Sequence, residues 1–392
     1  MKIIMDIYTK LGVKKVINAS FALTRLGGSR LSPRVMEAMK EANESYVYMW
    51  DLIKRGGEII AEKLGAEAAW ITSGAFNALV LSAATCMAGA DSDKMRLLPD
   101  TTGMKNEIII QRANRLLVYD RAMEVAGGKF VFVGDETYGC TPQHIENAIN
   151  ENTAAIHQMV AGTPRRGVVS IEDTVKVAHK HGVPVILDVS GMTYPMEGLS
   201  KYAAMGVDLA CYGGKYVGGP NSTGFVVGRK DLIDALALHS FIGAEAGPKE
   251  QGGFYRSIGR GYKLDRQEVI ALLVAFQEWH EIDHQKQRIE PAWKKARYIE
   301  EKIKGLPGLK DVRIEYTPRS GEGISYHTCG LSLYFDGKSE DEVYNLVHAL
   351  RVDDPEVWVR YLRRGNSFVI NTINLKDGEE KVIAERFKKV FG

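Results

Sequence analysis

The chain is poor in the features that mark secreted, membrane-spanning or nucleic-acid-binding proteins. Its 392 residues include four cysteines, Cys86, Cys140, Cys211 and Cys329, with no C-x-x-C pair among them. Scattered thiols of this kind fit a reducing, cytoplasmic setting. No apolar run reaches the roughly 18 residues a membrane span needs. The opening stretch MKIIMDIYTKLGVKK is charged and too broken for a signal peptide. Charge of one sign is also lacking: 51 Lys and Arg against 49 Asp and Glu leave a net +2, without a basic arm or an acidic tail. A protein that binds tRNA needs an electrostatic footprint, so tRNA is not expected as a partner. There is no internal repeat and no low-complexity tract.

What is present is an ordinary globular composition, 45% hydrophobic and 26% charged, in a chain long enough for two domains. Its most informative stretch is 183–228. Val183–Asp188 is a short apolar run that ends in a carboxylate. Asp208–Tyr212 is a second run, with Lys215 three residues beyond it, and Gly224–Gly228 is a third. Two strands therefore present an acid and a lysine at their carboxyl ends, where ligands bind in open α/β sheets. A buried lysine can lose its proton and condense with an aldehyde, which is how pyridoxal 5'-phosphate (PLP) is held. A carboxylate near the pyridine nitrogen keeps that nitrogen protonated. Gly213, Gly214, Gly218 and Gly219 let the backbone approach a flat ring. Taken alone, a strand-end Asp is often structural and an isolated Lys is usually on the surface. Cys211, inside the strand that leads to Lys215, reads as an inert buried thiol.

Along the chain, residues 1–30 read as an arm with little regular structure, in which LGGSR (26–30) is a turn able to reach a ligand. Ser32-Pro33 opens a helix to about Asn43, with Ser as cap and Pro in the first turn. The aromatic stretch SYVYMW (45–50) precedes a helix over 51–64. Strands are predicted at 68–71, 107–111, 129–133, 154–160, 184–188, 208–212 and 224–228. They alternate with helices at 74–89, 114–126, 142–150, 171–181, 198–205 and 230–238. Seven strands with helical crossovers predict a mostly parallel sheet covered on both faces. Residues 265–303 form a long amphipathic pattern interrupted near Pro291. The tail carries strand runs at 328–335, 357–361 and 367–370 and helices at 339–350 and 378–391. The expected organisation is an arm and helix over 1–50, a large α/β domain over 51–264, a linker helix over 265–303, and a small α+β domain over 304–392.

Four stretches, INASFALTRLGGSRLSPRVMEAM (17–39), GAEAAWITSGAFNAL (65–79), PVILDVSG (184–191) and VDLACYGGKYVGGPNSTGFVVGRKDLI (207–233), resemble the PLP-dependent fold type I superfamily. Within it the chain resembles the selenocysteine synthase-like group, which includes the seryl-tRNA(Sec) selenium transferases and D-glucosaminate-6-phosphate ammonia-lyase. Weaker likeness continues over 258–276. The resemblance implies PLP as cofactor, Lys215 as its lysine and Asp188 as the partner of its ring nitrogen. It also implies a seven-stranded large domain and a homodimer or larger assembly. Thr72-Ser73-Gly74-Ala75 follows a strand and opens a helix, so its amides and hydroxyl suit the cofactor phosphate; the alternative is a plain capped turn. Ser190 can hydrogen-bond near the cofactor. Many relatives carry Ser or Thr shortly before the lysine, where this chain has Gly213-Gly214, which shifts weight onto Ser73 and onto a second subunit.

Gln111 and Arg112 end the next strand, where fold type I enzymes stack a residue on the ring or hold substrate. Arg165, in the loop G-T-P-R-R-G (162–167), and Arg260 and Lys263, spaced three apart with Arg266, are candidates for an anionic substrate. Each of these basic residues is equally a solvated surface cation. His280-Glu281-Ile282-Asp283-His284 is a literal H-E-x-x-H. Its polar flanks and missing third ligand argue against zinc, and no metal is expected. The expected reaction is removal of an α-proton and elimination of a β-substituent and ammonia from a small hydroxylated amino acid or amino sugar acid, with or without a phosphate. The alternatives are selenium or sulfur transfer onto seryl-tRNA or another β-substituted amino acid, and aminotransferase or racemase chemistry. The family-like motif starts at residue 17, with no room before it for the N-terminal tRNA-binding domain of bacterial selenium transferases, which also favours the lyase.

Overall fold

The computed structural model describes residues 6–160, 166–246, 256–315, 329–362 and 367–392. The chain divides into two compact units. One runs from Ser29 to Glu281; the other joins the residues up to Gly28 to those from Ile282 onward. The divisions thus fall at Gly28/Ser29 and Glu281/Ile282, where the sequence places boundaries after residues 50, 264 and 303.

The strands in chain order are β1 (Val16–Ala19), β2 (Ala68–Thr72), β3 (Glu107–Gln111), β4 (Lys129–Val133), β5 (Thr153–Met159), β6 (Val185–Asp188), β7 (Leu209–Gly213), β8 (Gly224–Gly228), β9 (Leu309–Glu315), β10 (Gly330–Phe335), β11 (Glu356–Leu362) and β12 (Ser367–Asn371). In the Ser29–Glu281 unit, seven of them form one sheet in the order β2-β8-β7-β6-β5-β3-β4. Every pairing is parallel except those of β8, which runs antiparallel to both β2 and β7. The strand centres are almost wholly buried, as in Ile108–Ile110, Val185–Leu187 and Phe225–Val227. Continuous apolar runs of this kind are what a sheet covered on both faces requires. All seven strands lie within one residue of their expected positions.

The helices follow local signals. Ser32 accepts the Val35 amide and Pro33 fills the first turn of Pro33–Asn43. Helix Met49–Leu64 ends at Gly65, with φ +64. That helix lies close to β2 at Gly57, where a Cβ would stand 2.1 Å from the Ala69 carbonyl oxygen. Helix Gly74–Ala88 is buried on nearly every side, which explains its uniformly apolar sequence. The pattern over 265–303 breaks earlier than expected. Helix Arg266–Glu281 stops before Ile282. Helical structure resumes in a π-helical turn, Gln285–Ile289, that runs directly into Glu290–Ile303, so Pro291 lies just after that turn rather than at the break.

The second unit has a five-stranded sheet, β1-β11-β12-β10-β9. The stretch expected to be irregular thus contains a strand: Val16–Ala19 pairs in parallel with β11. Ile17 and Ala19 enter a core with Leu331, Val357, Phe368 and Phe387. β9 also lies outside the expected set. Helices Glu290–Ile303 and Glu379–Phe391 contribute Ile299, Ile303 and Phe391 to the same core.

The Ser29–Glu281 unit depends on tight backbone contact at Gly224. A Cβ there would stand 2.6 Å from both the Gly74 carbonyl carbon and the Tyr212 oxygen. Gly224→Ala is expected to lower stability by about 1–3 kcal/mol, the usual range for overpacking. An unchanged denaturant midpoint would show that the strand and helix separate freely there.

Candidate active site

The register brings the carboxyl ends of β2, β6 and β7 to one edge of the sheet. Thr72 pairs with Gly224, Gly224 with Gly213, and Cys211 with Asp188. Because β8 is antiparallel, its first residue, Gly224, lies at this edge between the helix that follows β2 and the turn that follows β7.

Lys215 lies in a single 3-10 turn, Gly214–Val217, which Gly218 closes at φ +85. The turn fits only because of its glycines. A Cβ on Gly214 would meet the Thr223 hydroxyl at 2.2 Å and Leu272 at 2.8 Å. The Gly214 amide donates to the Thr223 carbonyl at 2.7 Å. Ser29 donates to the Gly219 carbonyl, so the LGGSR turn does reach the lysine loop. The Lys215 ammonium lies 5.2 Å from the Tyr216 ring centroid. Burial pulls its pKa down to about 8, because desolvation penalises the charged form.

Asp188 is 5% exposed. Burial pushes its carboxyl above the ordinary range, while the Ser190 amide, 3.0 Å from Oδ1, and His157 pull the other way. Ser190 also accepts the Gly213 amide through its carbonyl at 3.0 Å, which ties β6 to the lysine strand. His157, on β5, occupies the same face of the sheet as Asp188, since it pairs with Ile186, two residues earlier on β6. Its Nδ1 lies 3.2 Å from the Ile186 carbonyl. Burial lowers its pKa against the opposing pull of Asp120 and Asp188. Sequence reasoning missed His157; the period-two spacing within the strand that ends at Met159 was the available signal.

Ser73 precedes helix Gly74–Ala88 in a conformation that makes no side-chain capping bond. Gly74 takes φ +75. The first amides of a long helix are thus left without a cap at the same edge as Lys215, which makes an anion site. Thr72 is buried, and its hydroxyl donates to the Gly74 carbonyl at 3.1 Å, so its role is to shape the turn. Ala75 follows in that first turn. A half-buried amine, a buried carboxylate and an uncapped helix start are the three groups that PLP's aldehyde, ring nitrogen and phosphate require, so the residues present fit this cofactor.

The remaining candidates are placed elsewhere. Gln111 is buried, and its Oε1 accepts the Val169 amide at 2.8 Å, while Gln158 donates to the Val169 carbonyl at 3.0 Å. The pair fixes the loop beyond β5. Arg112 is exposed at the β3–β4 end, 5.0 Å from the Phe132 ring centroid. Arg165 lies outside the described residues. The basic trio is divided. Arg260 pairs with Glu245, and Arg266 donates to the Ala42 and Asn43 carbonyls at 3.1 and 3.3 Å, capping helix Pro33–Asn43. Lys263 is exposed between them. In the H-E-x-x-H stretch the helix ends at Glu281, between the two histidines, and His280 Nδ1 lies 2.7 Å from the Phe276 carbonyl.

A sheet of this order with an acid and a lysine at one edge defines an enzyme of the PLP-dependent fold type I class. The solved structure of D-glucosaminate-6-phosphate ammonia-lyase agrees, superposing with a TM-score of 0.80 at 26% identity over 99% of this chain and 98% of that one. The model of the SelA family, L-seryl-tRNA selenium transferase, matches residues 16–305, and the chain belongs to that family. Among its relatives, the D-glucosaminate-6-phosphate ammonia lyase of Salmonella typhimurium (strain 14028s / SGSC 2262) is 31% identical over 284 residues, covering 70% of each chain. A 5'-C-glycyluridine monooxygenase-decarboxylase of a Streptomyces species is 28% identical over 386 residues, 96% of this chain and 90% of that one.

The buried lysine gives a prediction with a definite sign. Its folded pKa of about 8 lies below the ordinary 10.5, so in the cofactor-free protein it costs stability at pH values below about 8. That cost fades as the pH climbs toward 10.5. Cofactor-free Lys215→Met is therefore expected to melt at or above the wild-type temperature at pH 7, with the advantage shrinking by pH 10. A lower melting temperature at pH 7 would contradict the assigned burial of the amine.

Proposed function

We propose that the protein is a PLP-dependent lyase that removes the α-proton of a small hydroxylated amino acid or amino sugar acid, with or without a phosphate, and releases ammonia. The observation that carries this reading is the placement of Asp188 and Lys215 at the ends of neighbouring strands, on the edge where helix Gly74–Ala88 starts without a side-chain cap. In this reading Lys215 holds the cofactor, Asp188 faces its ring nitrogen, and the amides around Ser73, Gly74 and Ala75 hold its phosphate, with Ser190 beside Asp188. The bound cofactor draws electrons from the substrate's α-carbon and so acidifies its proton. An amine with a pKa of about 8 is partly neutral near physiological pH, so Lys215 can accept that proton. It can then return a proton to the departing β-hydroxyl, which leaves as water. Hydrolysis of the dehydrated product gives ammonia and a 2-keto acid. Asp188, buried and short of positive charge, is stabilised by a protonated ring nitrogen and keeps it protonated in turn.

The near-neutral charge supports a small amino substrate over tRNA. The run Leu117, Val118 and Tyr119 is exposed on the Ser29–Glu281 unit, which supports a homodimer. Four free cysteines support a cytoplasmic location. Among the described residues no helix is long and apolar enough to cross a membrane. A second reading comes from the Streptomyces relative, whose match spans nearly the whole chain: oxidative decarboxylation, in which carboxylate loss replaces α-proton removal.

Purified enzyme supplied with D-glucosaminate 6-phosphate, its dephosphorylated form and serine is the test. Ammonia and keto-acid release is expected for at least one hydroxylated substrate. Lys215→Ala should lose the visible cofactor band and about 1,000-fold or more of the rate. Asp188→Asn should keep the band and lose most of the rate. Carbon dioxide release with oxygen uptake, and no keto acid from elimination, would move the assignment to the second reading. A colourless wild-type protein in the presence of PLP would remove both.

A further inference from the structure

The second unit contains a cationic cluster that the reaction above does not use. Trp358 lies on β11 between the buried Val357 and Val359, so its ring belongs to the opposite face of that sheet from the core. The strand holds it firmly. Trp358 pairs with Asn18 of β1, its carbonyl accepts the Ser20 hydroxyl at 2.7 Å, and its indole N–H donates to Glu356 at 2.8 Å. Two guanidiniums approach this one ring. Arg351, directly after helix Glu340–Ala349, has its Cζ 3.9 Å from the ring centroid, and Arg25 has its Cζ at 5.4 Å. Arg25 stands in the short turn Thr24–Leu26, which Gly27 closes at φ +86.

Stacking on an indole orients guanidiniums but does not neutralise them. Among the described residues, neither arginine has a carboxylate within ion-pair distance; the nearby Glu356 is bonded to the indole instead. Arg351 Nε is buried and makes no hydrogen bond. Burial first, and then the charge of Arg25, weaken Arg351's hold on its proton. Two positive groups against one carboxylate thus surround a rigid aromatic surface with an unused donor, an arrangement that gains from a bound anion.

We propose that Arg25, Arg351 and the Trp358 ring form a binding site for a phosphate monoester. A phosphate dianion matches the cluster better than a carboxylate does. It offers three acceptor oxygens to two planar forks, and its second charge offsets the mutual repulsion of the arginines. Ordering the Arg25 turn on binding is part of the same proposal. The site lies wholly within the second unit and is independent of which reaction the enzyme performs.

The test is calorimetric titration of the PLP-loaded, full-length protein, in which the cofactor's own phosphate site is already filled. Inorganic phosphate and glucose 6-phosphate are the probes, with glucose and gluconate as the neutral and carboxylate comparisons, all at fixed ionic strength. Saturable binding of both phosphates and none of glucose is expected. Arg351→Gln and Arg25→Gln should each weaken binding about 10-fold or more, while Arg121→Gln, at an unrelated exposed pair, should leave it unchanged. Absence of saturable binding, or equal affinity in both arginine variants and the wild type, overturns the proposal. Gluconate binding as tightly as glucose 6-phosphate through the same arginines overturns its assignment to phosphates.

Discussion

One close backbone contact organises the Ser29–Glu281 unit. Gly224 leaves no room for a side chain between the Gly74 carbonyl carbon and the Tyr212 oxygen, each 2.6 Å from where a Cβ would be. That contact sets the start of helix Gly74–Ala88 against the strand that leads to Lys215. It requires β8 to run antiparallel, because only then does a strand's first residue share an edge with the last residues of β2 and β7. The single reversed strand in an otherwise parallel sheet is therefore what brings the start of that helix and the lysine turn together. Gly214 continues the same packing one residue before the lysine, against Thr223 and Leu272.

Backbone crowding at that edge excludes water, and the excluded water accounts for the electrostatics. Burial of Lys215 penalises its charged form, so its amine is easier to deprotonate. Asp188 is pushed the other way for the same reason, despite the Ser190 amide. An acid that resists ionising and a base that resists protonation thus stand at the ends of adjacent strands. Functional sites commonly carry such unfavourable groups, and the surrounding core stabilises the fold against them.

The sheet was legible in the sequence because most of its strands have an apolar centre, are bounded by glycine or polar residues, and are separated from the next by a helix-length connection. Lys215 and Asp188 were legible because strand ends are where ligands sit. What escaped was set by contacts remote in sequence. Val16–Ala19 is too short to read as a strand without its partner at Glu356–Val359. Gln111 resembles a site residue in sequence, but the Val169 amide takes its Oε1 and leaves only Nε2 without a partner. Arg260 and Arg266 share a spacing but not a destination: one meets Glu245 and the other caps a helix that ends at Asn43. Side-chain type and spacing cannot distinguish a cation bound for substrate from one bound for a helix terminus, because both ends attract positive charge.

The same physics separates the two chemistries that the family relatives perform. Elimination needs a base able to take the α-proton, and a lysine whose pKa has fallen to about 8 meets that need without a second residue. Oxidative decarboxylation breaks a different bond at the same carbon and consumes oxygen; it needs no acceptor for the α-proton but a geometry that aligns the carboxylate with the ring's π system. The outcome therefore depends on which bond the bound substrate holds perpendicular to the ring. That orientation is set by whatever grips the substrate's anionic groups.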